Sequence, residues 1–170
     1  MAARRMVTEV EFTGDMRKDV KRGTSAKSMR KMRSDDGQLD IYKPTKGEKR
    51  AGMPFINAPG ALTSRVIAAY RVDEVLGFGR IPTTPSTEDS IEADGRRSGD
   101  GMIRQFVDST ADVANVGACP RVQRQQVAFL DYIIGALDRH RRNYRTVDRG
   151  THLVLVAIDH GLSFPMAAHP

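Results

Sequence analysis

The chain holds a single cysteine, Cys119, among 170 residues. One thiol cannot close an internal disulfide, which excludes a disulfide-stapled scaffold and makes a reducing cytoplasm the expected setting. No apolar run approaches the roughly 20 residues that a membrane-spanning helix requires. The N-terminus carries basic residues with no apolar stretch behind them, so it does not read as a signal peptide. Aromatic residues make up 6% of the chain, and none lies in the basic segment 16–33. Single strands of nucleic acid are held by stacking on aromatic rings, so that segment argues against a nucleic-acid partner. His140, His152 and His160 lack a zinc-ligand spacing and have no cysteine pair to join them, which argues against structural zinc. No internal repeat is visible.

What is present suits one domain, large enough to bury a core. The net charge of +6 and pI of about 9.8 favour anionic partners such as a nucleotide, a phospholipid or nucleic acid; ordinary solubility accounts for the same charge. Residues 1–37 are rich in Lys, Arg, Ser and Gly and read as a basic arm or a phosphate-covering hairpin. Gly23-Thr24-Ser25-Ala26-Lys27-Ser28 lacks the spacing of a P-loop. Residues 38–170 read as the main domain: strand, loop, helix and strand as far as Pro82, a polar exposed loop over 85–101, then strand, linker, helix and a final strand. The first helix is expected from about Ser64 to Leu76, with Ile67, Tyr70 or Arg71, Glu74 and Val75 on successive turns and Gly77 as its stop.

The densest chemistry lies near the C-terminal end. Asp138-Arg139-His140-Arg141-Arg142-Asn143 is followed by Ile158-Asp159-His160-Gly161. Val127 to Leu137 reads as an apolar helix that delivers Asp138, and Leu153 to Ile158 as a short buried strand that ends at Asp159. A carboxylate that orients or deprotonates an acceptor, with a carboxamide and a second carboxylate to hold magnesium, are the parts needed to move a phosphoryl group from a metal-bound nucleotide. Capping and turn roles also suit Asp138 and Asn143 at a helix end. They do not account for His140 and Asp159 in this order.

Asp-Arg-His-x-x-Asn, an apolar strand and Asp-x-Gly together resemble the catalytic and metal-binding segments of the phosphatidylinositol 3-/4-kinase-like superfamily. The likeness continues upstream. Ile41-Tyr42-Lys43-Pro44 with Gly47-Glu48 is similar to the family's nucleotide-lysine strand. Ala68 to Phe78 followed by Ile81-Pro82-Thr83-Thr84 is similar to its N-lobe helix and exit strand, and Met102 to Val107 to the strand entering the hinge. These ordered segments span roughly residues 40 to 165. The resemblance implies an α+β, protein-kinase-like two-lobed fold; 170 residues are few for two lobes, so a minimal or truncated C-lobe is expected. It implies ATP and magnesium as cofactors, Asp138 and His140 as the catalytic pair, Asn143 and Asp159 as metal ligands, and Lys43 as the phosphate contact. The acceptor would be a hydroxyl on a lipid headgroup, a protein or a small molecule.

One position departs from the family. Relatives carry a glutamate near the start of the N-lobe helix that pairs with the nucleotide lysine; this chain reads Arg65-Val66-Ile67-Ala68-Ala69-Tyr70. Glu48 and Glu74 are the remaining carboxylates expected to serve Lys43. The missing glutamate also keeps open a non-catalytic nucleotide-binding pseudokinase or interaction module.

Overall fold

The computed structural model describes residues 7–10, 29–34, 37–45, 48, 58–84, 86–87, 92–93, 96–97, 101–109 and 114–165. Most of the basic N-terminal segment, including 23–28, lies outside them. The chain is mixed α/β and divides into two compact units: Met1–Thr63 with Thr84–Phe106, and Ser64–Thr83 with Val107–Pro170.

The first unit is built on a five-stranded antiparallel sheet in the order β1-β2-β3-β7-β4. Its strands are β1 (Val7–Val10), β2 (Arg30–Ser34), β3 (Leu39–Pro44), β4 (Ser86–Thr87) and β7 (Gly101–Gln105). Residues 1–37 therefore supply two strands to the sheet that carries Lys43. Asp40, Ile41 and Tyr42 are successively buried, so β3 is covered on both faces. Met32 and Tyr42, both fully buried, pack with Ile103. Gly101 pairs with Pro44 and lets the two strands approach closely. A Cβ there would meet Lys43 O at 2.6 Å and Tyr42 Cε2 at 2.6 Å, closer than any side chain allows. The span 85–101, expected to be an exposed loop, instead contributes β4 and the short antiparallel pair β5 (Glu92–Ala93) and β6 (Arg96–Arg97).

Helix α1 (Ala61–Leu76) starts in the first unit, and from Ser64 it belongs to the second. It ends at Gly77, whose φ of 66° continues into a Schellman turn: Phe78 N donates to Asp73 O and Gly77 N to Glu74 O. Its buried face is Val66, Ala69 and Asp73, while Val75 is 87% exposed. The expected exit strand at 81–84 does not form: Ile81 lies in a bend and 82–84 belong to no helix or strand.

Helix α2 runs from Arg121 to Ile134, beginning and ending earlier than the apolar stretch Val127–Leu137 suggests. Gly135, at φ 58°, closes it with the same turn, its N–H and that of Ala136 bonding to Tyr132 O and Asp131 O. Buried Gln123, Val127, Leu130 and Ile134 recur at helical spacing and form its inner stripe. Leu130 and Ile134 pack with Ala69 and Ile81, and Val127 packs with Cys119, Leu155 and Ala157. Beyond α2, β8 (Tyr144–Asp148) and β9 (Leu153–Ala157) form an antiparallel pair. The far edge of β9 is satisfied without another strand: Gln123 Oε1 accepts from Leu155 N at 2.7 Å, and Arg80 O from Ala157 N at 2.8 Å. No helix among the described residues is long and apolar enough to cross a membrane.

Candidate functional site

Asp138, His140, Asn143 and Asp159 gather in the second unit, on the loop after α2 and at the end of β9. The helix stops at Gly135, so Asp138 stands beyond the cap and not on the last turn. Its side chain is 52% exposed and that of His140 is 51% exposed. His140 opens a 3-10 turn over Arg141–Asn143. Its Nδ1 accepts from Arg142 N at 3.2 Å, which leaves Nε2 to carry the proton of the neutral ring. That Nε2 lies 3.8 Å from Asp138 Oδ1, a proximity too long for a hydrogen bond.

Asn143 is buried and pinned. Its Nδ2 donates to Asp138 O at 2.7 Å, and its backbone N donates to His140 O at 2.8 Å. Among the described residues nothing donates to its Oδ1. Ile158 N donates to Asn143 O at 2.9 Å, which ties the chain immediately before Asp159 to the loop. Asp159 itself adopts φ 61°, a left-handed conformation that aspartate tolerates better than most residues. The following His160 is buried, at 1% exposure.

This donor set suits magnesium. A carboxylate and a carboxamide offer hard oxygen ligands, and magnesium commonly takes only one or two protein ligands, with nucleotide phosphates and water completing its shell. No cluster of three or more His, Cys, Asp or Glu that could hold a metal occurs among the described residues.

Lys43 and Glu48 belong to the first unit. Lys43 is half-buried on β3, opposite Met102. Glu48 serves the N-terminus of α1: Oε1 accepts from Thr63 N at 2.8 Å and from Thr63 Oγ1 at 2.6 Å, and Oε2 from Leu62 N at 3.4 Å. It satisfies otherwise orphaned helix donors with a negative charge placed at the positive end of the dipole. Glu74 lies on the exposed face of α1, ion-paired with Arg71 at 2.7 Å and accepting from Tyr70 Oη at 3.1 Å. These bonds hold its carboxyl below the usual range. Both carboxylates expected to serve Lys43 thus have other partners. Val66, at the position where the resemblance expects glutamate, is 3% exposed.

Arg139 was given no role by sequence pattern, and it is the best-anchored side chain of the loop. Its Nε and Nη2 grip Asp131 of α2 at 2.9 and 2.8 Å, and its Nη1 donates to Asn143 O at 2.9 Å and Ile158 O at 2.8 Å. Asp73 was likewise missed. It is 1% exposed, and its Oδ2 accepts from Arg80 N and Ile81 N, both at 2.8 Å.

No family model matches this sequence, and no curated protein matches it. Among solved structures the fold is similar to that of a Golgi casein kinase, at 14% identity and a TM-score of 0.49 over 96% of this chain. The chain spans 55% of the length of that kinase chain.

Proposed function

We propose that this chain is an ATP- and magnesium-dependent phosphotransferase of the phosphatidylinositol 3-/4-kinase-like type, acting on a hydroxyl acceptor in the cytoplasm. The observation that carries the reading is the bracing of Asn143. Its Nδ2 is held by Asp138 O, its Oδ1 is left for a cation, and its backbone carbonyl receives Ile158 N beside Asp159. Asp138, open to solvent, orients the acceptor hydroxyl and takes its proton. His140 presents Nε2–H beside it to the oxygens of the transferring group. Asn143 and Asp159 would hold magnesium, and Lys43 would contact the nucleotide phosphates. Bound magnesium would neutralise phosphate charge as it develops. The acceptor class is a lipid headgroup, a protein side chain or a small alcohol.

Val66 favours a second reading, a non-catalytic nucleotide-binding module. A buried valine stands where the resembled family places a carboxylate, so this chain departs from the catalytic pattern at that position.

Nucleotide binding and ATP turnover, each measured with and without magnesium, decide between them. Magnesium-dependent turnover supports the enzyme. Magnesium-dependent binding without turnover supports the module, and loss of both behaviours overturns the two readings together. Asp159→Asn retains a residue that tolerates the left-handed backbone and should lose the magnesium dependence of binding. A variant that binds magnesium-nucleotide like the parent removes Asp159 from the metal site.

A further inference from the structure

The geometry points to Arg139 and Asp131 as a positioning pair that sets the register of the Asp138–Asn143 loop against Asp159; this inference rests on the phosphotransferase reading. Neither side chain needs to touch substrate. Asp131 sits in the last turn of α2, where its backbone carbonyl also closes the helix by accepting from Gly135 N and Ala136 N. Its position is therefore fixed by the end of a packed helix. The guanidinium docks on it through two short bonds, with side-chain exposures of 10% and 15% for Arg139 and Asp131. The remaining nitrogen bridges Asn143 O and Ile158 O, which belong to the two segments bearing the proposed metal ligands. The guanidinium also lies over the Tyr144 ring, 5.3 Å from its centroid, which limits its movement.

A planar fork of five donors can make these bonds at once; an ammonium cannot. One side chain thus transmits the position of α2 to both the acceptor-orienting loop and the end of β9. Asn143 O accepts from Ile158 N as well as from Arg139, so the two segments are joined directly and through the arginine.

The test uses the full chain with Arg139→Lys and Asp131→Asn, both of which preserve size and polarity. Magnesium-dependent ATP turnover, thermal midpoint and amide hydrogen exchange are measured on each. In Arg139→Lys, kcat should fall about a hundredfold, the scale set by a displacement of about 1 Å in a reacting group. KM for the nucleotide should stay near the parent's, while the thermal midpoint should fall modestly because buried hydrogen bonds of Arg139 are lost. Exchange at the Ile158 amide should accelerate while that at Leu130, in the core of α2, does not. Unchanged kcat and unchanged Ile158 exchange overturn the inference. A fall in midpoint with faster exchange at Ile158 and Leu130 alike also overturns it, since the pair would then be a general brace. A parent chain without nucleotide binding or turnover overturns the phosphotransferase reading instead. Exchange at Ile158 needs no nucleotide, and in that case it decides alone whether the pair sets the register.

Discussion

Asn143 holds the backbone of Asp138 through a 2.7 Å bond from its side-chain Nδ2 to the Asp138 carbonyl. The bond turns a carboxamide that looks like a turn residue into the internal strut of the loop. Asn143→Asp keeps an oxygen for a cation but sets an acceptor against an acceptor. Asn143→Ala removes both. Each should lower stability by about 1–3 kcal/mol, the usual cost of leaving a buried polar group unsatisfied. Each should also weaken magnesium-dependent nucleotide binding. Chemical denaturation and nucleotide titration check this, and parent-like behaviour in both variants would dismiss the strut.

Asp138→Ala should separate chemistry from structure. The side chain is 52% exposed, and His140 Nε2 lies 3.8 Å from its Oδ1. Stability should change by less than about 0.5 kcal/mol, as at other exposed sites. Phosphoryl transfer should fall by about 10²–10⁴-fold, the contribution of a positioned acid or base. Nucleotide affinity should hold. Equal losses of turnover and affinity would make Asp138 a structural residue of the loop.

Val66→Glu tests the departure at α1. Val66 is 3% exposed, so a carboxylate there would be buried without a built partner. Destabilisation of roughly 3 kcal/mol or more is expected, with no gain in turnover. A variant that keeps its thermal midpoint and gains turnover would show that a carboxylate at this position serves the proposed chemistry.

Asp73 carries a pH dependence. Burial raises its carboxyl above the ordinary aspartate range, and the N–H groups of Ile81 and Arg80 oppose that shift only in part. The folded chain therefore keeps this proton to higher pH than the unfolded chain. The associated stability is fully present below the unfolded pKa and is lost as pH rises through the folded one. Asp73→Asn keeps an oxygen for both N–H groups and cannot ionise. Its stability relative to the parent should increase from acid to neutral pH and then level off. Urea unfolding across that range checks the sign, and a pH-independent difference would refute it.

Local pattern was enough for several elements. β-branched and apolar residues from Leu153 onward mark β9, and its end before Asp159 follows from the same run. Gly77 marks the end of α1, because it reaches a positive φ without steric cost. Lys43 lies on a strand as the alternation of Leu39 and Ile41 before it suggests. Helix α2 departs from the apolar stretch Val127–Leu137 at both ends for identifiable reasons. Gln123 is polar yet faces inward, since its amide oxygen satisfies Leu155 N, thirty-two positions away. Leu137 is apolar yet 58% exposed, past the glycine that ends the helix.

The order of Asp138, His140, Asn143 and Asp159, the strand that carries Lys43 and the valine at 66 were determined by the sequence alone. They depend on residue type and on periodicity within a few turns. Only the tertiary structure decided that Glu48 caps α1, that Asp73 lies buried beneath the turn at Arg80, and that Arg139 joins Asp131 to Asn143 and Ile158. Each of these depends on a charged group finding its partner across a fold. Such a pairing outside regular helix spacing leaves no local trace in a sequence, and the partner is chosen by which donors and acceptors packing has left unsatisfied.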